Sequence, residues 1–266
     1  MSHTENLTSF AAAANISGPF LPDNATLTTL HRAWPRTIPF ENIEVLLGRP
    51  VSIEVSDIAD KLLNRKRGGY CFEHNILLKT ILEEVGFSVT PHLARVVWGM
   101  DAPQPTPQTH ILLLVQVEGE QYIADVGFGG VNLSAPLKLQ EGEQQGFTLE
   151  RTGTEQWLLS LGVAESKKMM YVFDEKPCEA ADILVASHFV ATHESSVFRH
   201  NLMMTGVVND VQHNLFNQRL TAYGHEKTEQ QVQTFDEFRT FVSQFFKDPD
   251  VLSHEDMQRL YDKAGH

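Results

Sequence analysis

From Leu7 to about Glu84 the apolar positions recur at helical spacing. Leu27, Leu30 and Trp34 fall on one face and Ile58, Leu62 and Leu63 on another, with Pro35 and Pro39 as breakers between them. The run Asn75 to Val85 carries Ile76, Leu77, Leu78, Ile81, Leu82 and Val85 and meets Gly86 in a stop position, which predicts a helix with Cys71 at or just before its start. After Pro91 the spacing shortens to two. Strands are predicted over Leu93 to Trp98, Ile111 to Val117, Gln121 to Val126, Phe147 to Arg151, Gln156 to Leu161 and Met169 to Phe173, with turns at Glu118-Gly119-Glu120 and Arg151-Thr152-Gly153. Beyond about Ala180 the pattern mixes, with strands at Leu202 to Val208 and Gln218 to Tyr223 and helices at Phe235 to Phe246 and Glu255 to Ala264. The predicted class is α+β: a helical bundle over residues 1–87, a central antiparallel β-barrel over 88–195 and a smaller α/β region over 196–266.

Composition then narrows the function. The chain has 266 residues, enough to bury a full core in two or three subdomains. No run reaches the ~18 apolar residues of a membrane span, and the start MSHTEN lacks the basic-then-apolar order of an export signal. A cytoplasmic protein is expected, and in that compartment Cys71 and Cys178 are expected as free thiols. The net charge of −13 argues against nucleic acid or an anionic membrane as a general partner.

One short stretch carries the chemistry. In RKRGGYCFEHN, Arg65 to Asn75, Cys71 follows two glycines and three basic residues at a helix start. A thiol attacks only as the thiolate, so a helix N-terminus, a nearby cation or an imidazole is needed to ionise it. The amides of Gly68 and Gly69 are candidates for binding a developing oxyanion. Among the 12 histidines, His110 is singled out by position. A hairpin centred on Gly119 brings it near Val126 and Gly127, next to Asp125, which would hold the imidazole tautomer.

RGGYCFEHN, the paired TH and DVGFGG segments and the upstream IPFENIEVLLGRP together resemble the arylamine N-acetyltransferase family, from about Thr28 to Tyr223. The resemblance implies a cysteine-protease-like triad on Cys71, His110 and Asp125, and a bundle, barrel and α/β lid. It implies acetyl-CoA as co-substrate and a ping-pong transfer through a Cys71 thioester to an arylamine, arylhydrazine or N-hydroxyarylamine. It also places Phe40, Phe128, Val96 and Phe198 at the acceptor pocket and Thr106, Gly129 and Thr221 at coenzyme A. Arg67 is expected to pair with Glu41 or Asn42 and so support the nucleophile loop.

The same residues admit rival readings. A transglutaminase-like or papain-like hydrolase shares the order Cys, His, Asp, and a biosynthetic amide synthase shares the fold. A binding protein with a degenerate triad would hold ligand without forming an acyl-enzyme. A metal site, suggested by the Cys-x-x-His spacing of Cys71 and His74 and by His188, His193 and His200 lying close together in sequence, lacks a matching second pair, so no metal is expected. Gly127-Phe128-Gly129-Gly130 follows a strand but lacks the Lys-Ser/Thr of a phosphate loop.

Overall fold

A computed structural model describes residues 5–153, 155–164 and 167–265. Helices Glu5–Ala14, Asn24–Thr37, Val55–Ala59 and Cys71–Val85 gather around Phe10, Leu27, Leu30, Trp34, Leu78 and Ile81, all removed from solvent. Phe10 stacks on Trp34 at 4.7 Å between ring centroids. Asp23 starts the second helix by accepting from the Thr26 N–H at 2.8 Å. Pro35 does not break that helix as predicted but lies inside it, because a proline removes one donor without ending a helix that packing holds on its apolar face.

Eight antiparallel strands follow in the spatial order Leu137–Lys138, Glu120–Ala124, Gln108–Val117, Ser88–Val96, Lys168–Asp174, Gln156–Leu161, Phe147–Arg151, Gly142–Gln144. The sheet nearly closes into a barrel. Its two ends are stitched by Gln144, whose amide accepts from the Lys138 N–H at 2.9 Å and donates to the Lys138 carbonyl at 2.9 Å, the pair of bonds a strand neighbour would make. The helix Ala180–Thr192 then covers the strand that holds His110.

A second sheet has the order Phe40–Glu41, Met203–Val208, Val211–Phe216, Arg219–Tyr223, Lys227–Gln231. Its first strand comes from the N-terminal region, so the chain ends are tied together. One face carries Met204, Leu215 and Leu220 onto helices Phe235–Gln244 and His254–Ala264, with Ile43 and Leu46 in the same core. Among the described residues no helix is long and apolar enough to cross a membrane.

Two histidines in the helical core are fully buried and neutral. His74 accepts from Trp34 Nε1 at Nδ1 (2.7 Å) and donates from Nε2 to the Pro39 carbonyl (3.2 Å). Neither ring nitrogen of His31 has a hydrogen-bond partner. Burial lowers both to about 4. Because the folded values lie below the unfolded value near 6.5, the stability they permit is present above pH 6.5 and is lost as pH falls toward 4. Each is expected to cost up to about 3 kcal/mol over that window, read as a falling urea midpoint. His31→Leu should flatten the fall; an unchanged slope would show that His31 does not drive it.

Candidate active site

The loop that leads into Cys71 is held by close backbone approach. The segment Pro39–Asn42 runs against Gly68 and Gly69, with Glu41 N–H donating to the Gly69 carbonyl at 2.8 Å and Gly69 N–H to the Pro39 carbonyl at 3.3 Å. A Cβ on Gly68 would lie 2.2 Å from the Pro39 oxygen, so only glycine fits. Of the amides expected to bind an oxyanion, that of Gly69 is spent on Pro39, and the next, Tyr70, donates to Glu73 Oε2 at 3.1 Å. Arg67 pairs with Glu41 at 2.8 Å and with Glu44 at 3.0 Å. Burial would raise the Glu41 carboxyl, but Arg67 and Lys61 outweigh it and hold the group below its usual range. Asn42 turns the other way. It donates to the carbonyls of Phe198 (2.9 Å) and Asn201 (2.8 Å) and accepts from the Met203 N–H (2.8 Å), binding this loop to the C-terminal sheet.

His110 and Asp125 meet, by a different register from the predicted one. The hairpin turns on two residues, Glu118 and Gly119, both with left-handed φ (51° and 87°), so Leu113 faces Ala124 and Val117 faces Glu120. Pairing stops at Ala124, and the side chains close the remaining distance, with His110 Nε2 2.8 Å from Asp125 Oδ2. Two residues that sequence reasoning missed complete the carboxylate's shell. Asn75 Nδ2 donates to Asp125 Oδ1 at 3.0 Å and also to the Ile111 carbonyl at 2.7 Å, while its Oδ1 accepts from Val126 N–H. Tyr171 donates its hydroxyl to Asp125 Oδ2 at 3.0 Å, and Gly127 N–H donates to Oδ1 at 3.0 Å. Burial would raise the Asp125 carboxyl; the His110 side chain and the Asn75 and Gly127 donors outweigh it and hold it low. Burial and the charge of Asp125 keep the Tyr171 phenol protonated and able to donate.

Cys71 is the first residue of its helix and is 3% exposed. Its Sγ lies 3.8 Å from the carbonyl of Thr109, the residue before His110, and a Cβ on Gly127 would lie 2.9 Å from Cys71 Cα. The helix start therefore rests directly on the histidine strand and the aspartate loop. Burial, then the charge of Asp125, push the thiol well above its ordinary value, and the N–H groups of Phe72, Ile111 and Cys71 itself do not offset them. Two of the cations that the sequence offered are engaged elsewhere, Arg65 with Asp60 and Arg67 with Glu41, and Lys61, also near the loop, is paired with Glu73. His110 turns Nε2 to Asp125, which leaves Nδ1 as the ring nitrogen not committed to the carboxylate.

The remaining expected site residues fall on several walls. Phe40 and Phe198 meet edge to face at 6.0 Å and share a cluster with Cys71. Phe128 stands at 90° to the His110 ring, 5.3 Å away, and touches Tyr171 and Trp98. Val96 pairs with Tyr171 at a strand end, and its carbonyl accepts from Thr106 Oγ1 at 3.0 Å. Gly129 has left-handed φ (+73°) and no room for a side chain against the Phe40 ring. Thr221 lies on the second sheet, paired with Asn214. Among the described residues no group of three or more His, Cys, Asp or Glu side chains is arranged to hold a metal ion, and His74 is engaged by Trp34 and Pro39.

A family model described as N-acetyltransferase matches residues 23–248. The arylamine N-acetyltransferase of Mycolicibacterium smegmatis is 38% identical over 234 residues, 84% of this chain and 84% of that protein. The chain belongs to the arylamine N-acetyltransferase family. Another member, the arylamine N-acetyltransferase / N-hydroxyarylamine O-acetyltransferase of Salmonella typhimurium, is 43% identical over 189 residues, 69% of this chain and 66% of that one. The solved structure of the Mycobacterium marinum arylamine N-acetyltransferase in complex with CoA matches with a TM-score of 0.88 at 32% identity, covering 97% of this chain and 98% of that chain. The family resemblance carried by RGGYCFEHN and IPFENIEVLLGRP thus extends over the full architecture.

Proposed function

We propose that this chain transfers acetyl groups from acetyl-CoA to arylamines, arylhydrazines or N-hydroxyarylamines through a thioester on Cys71. The observation that carries the reading is the buried His110–Asp125 contact at 2.8 Å beside a helix that begins at Cys71. His110 Nδ1 takes the thiol proton, and Asp125 stabilises the imidazolium formed. The thiolate attacks the acetyl carbonyl carbon, the carbon–sulfur bond to coenzyme A breaks, and the leaving thiolate receives the proton from His110. An amine nitrogen then attacks the Cys71 thioester, gives a proton to His110 and leaves as the amide, while Cys71 regains its proton. Phe40 and Phe198, which share a cluster with Cys71, and Phe128, which stands against His110, are the side chains assigned to the acceptor's ring. Both cysteines are free thiols, which supports a reducing, cytoplasmic setting.

Steady-state kinetics with both substrates varied test the order of events. Parallel double-reciprocal lines are expected, because coenzyme A leaves before the amine attacks. Intersecting lines would require a ternary complex and exclude the covalent route. Release of acetate at the same rate with and without amine would favour the hydrolase reading.

A further inference from the structure

His31 lies on the helix Asn24–Thr37, 1% exposed, with both ring nitrogens free of hydrogen-bond partners. A neutral imidazole carries one N–H donor and one acceptor, and burying them unpaired is costly. Leucine would fill the same space without that cost, so the polar ring at this place needs an account of its own.

Its surroundings supply one. Leu27, Leu30 and Trp34 of the same helix share a core with Ala124 and Val126, the residues on either side of Asp125. Strand pairing holds Ala124 to Leu113 and stops there. Asn75 replaces the next backbone contact, donating to the Ile111 carbonyl and accepting from the Val126 N–H, two groups that a continued ladder would bond to each other. By the alternation of an extended chain, the N–H and C=O of Asp125 face the other edge, where the strand Leu137–Lys138 pairs only with Tyr122 and Ile123. Among the described residues no backbone hydrogen bond reaches the Asp125 carbonyl. Burial disfavours a proton on His31, whereas the Asp125 carboxylate and then the Asp125 backbone carbonyl favour one, and Arg32 opposes it. The acceptor beside the ring is thus the backbone of the residue that holds His110.

We propose that His31 is a positioning residue for the triad, whose ring N–H steadies the Asp125 backbone carbonyl from behind while Asn75, Tyr171 and the Gly127 N–H hold the carboxylate in front. In this structure the pair falls short of a hydrogen bond, and it tightens when substrate fills the site, as contacts around catalytic groups commonly do. The inference rests on the acyl-transfer reading above and adds a residue to it.

Single-turnover acylation by acetyl-CoA, run on the full-length protein, tests it. His31→Leu is expected to lower the maximal acylation rate about tenfold, the loss of one hydrogen bond, and to leave the half-saturating acetyl-CoA concentration unchanged. The midpoint of the pH profile for Cys71 alkylation by iodoacetamide should move upward, because an Asp125 that drifts stabilises the His110 imidazolium less well. His31→Gln and His31→Asn place an amide N–H near the positions of Nε2 and Nδ1, and one of them should restore the rate to within about threefold. Leu27→Ala, which opens the same core without touching Asp125, should lower the urea midpoint and leave both the acylation rate and the alkylation profile as in the wild type. An unchanged rate in His31→Leu, failure of both amides to restore it, an unmoved alkylation midpoint, or equal slowing in Leu27→Ala overturns the positioning role while the acyl-transfer reading stands. A wild-type protein that acetyl-CoA does not acylate overturns that reading and this inference with it.

Discussion

Asp125→Asn should lower kcat/KM for acetyl transfer by about 10⁴-fold, the scale seen when the orienting carboxylate of a nucleophile–histidine–carboxylate triad is neutralised. The geometry here makes the loss severe. Asp125 accepts from His110, Tyr171, Asn75 and the Gly127 N–H, so its two oxygens face donors only. An asparagine amide would point its NH₂ at two of them. If that group faces His110, the imidazole must turn its acceptor nitrogen inward and loses the proton acceptor that Cys71 needs. Single-turnover acylation measures the effect without product release. A variant that acylated within tenfold of the wild type would show that Asp125 does not orient His110. Tyr171→Phe removes one of the four donors and should cost far less, about tenfold, on the same assay.

Arg67→Met should lower stability by about 3–5 kcal/mol, because it strips the partner from the buried Glu41 carboxylate and takes one partner from Glu44. Glu41 is 1% exposed and receives Arg67 at Nε and Nη2, with only the Ile43 N–H besides. Without the guanidinium, burial would drive Glu41 toward protonation and loosen the contact between Pro39–Asn42 and the glycines before Cys71. Urea denaturation measures the loss, and the double variant with Glu41→Gln should recover part of it. A cost below about 1 kcal/mol for Arg67→Met alone would mean that the pair behaves as a surface bridge.

How much of this was legible beforehand depended on whether a local signal existed. The strands Phe147–Arg151 and Gln156–Leu161 were readable to the residue, because alternation and a flanking glycine turn mark both ends. The helix Ala180–Thr192 was not, since ADILVASHFVA is apolar on all sides and leaves Leu184 and Val185 exposed, so no period shows. Val211–Phe216 and Lys227–Gln231 are largely polar strands held by backbone pairing, and the pairing of Phe40 with Thr205 crosses most of the chain.

The site divides in the same way. Cys71, His110 and Asp125 each sit at the end of an element with a recognisable start or turn. Asn75 had a usable clue, one helical turn from Cys71 on the same face, whereas Tyr171 is an ordinary inward residue of a strand until the fold brings it to Asp125. The thiol's environment could not be read at all. The basic residues near it suggested activation by charge, and two of them, Arg65 and Arg67, proved to be paired with carboxylates.

The central claim is that Cys71 carries the acetyl group between donor and acceptor. Intact-protein mass after brief mixing with acetyl-CoA and no amine, on wild type and Cys71→Ser, tests it most directly. One added acetyl group on the wild type alone, discharged when an arylamine is supplied, is the expected result. No adduct on the wild type, or an equal adduct on Cys71→Ser, would contradict it.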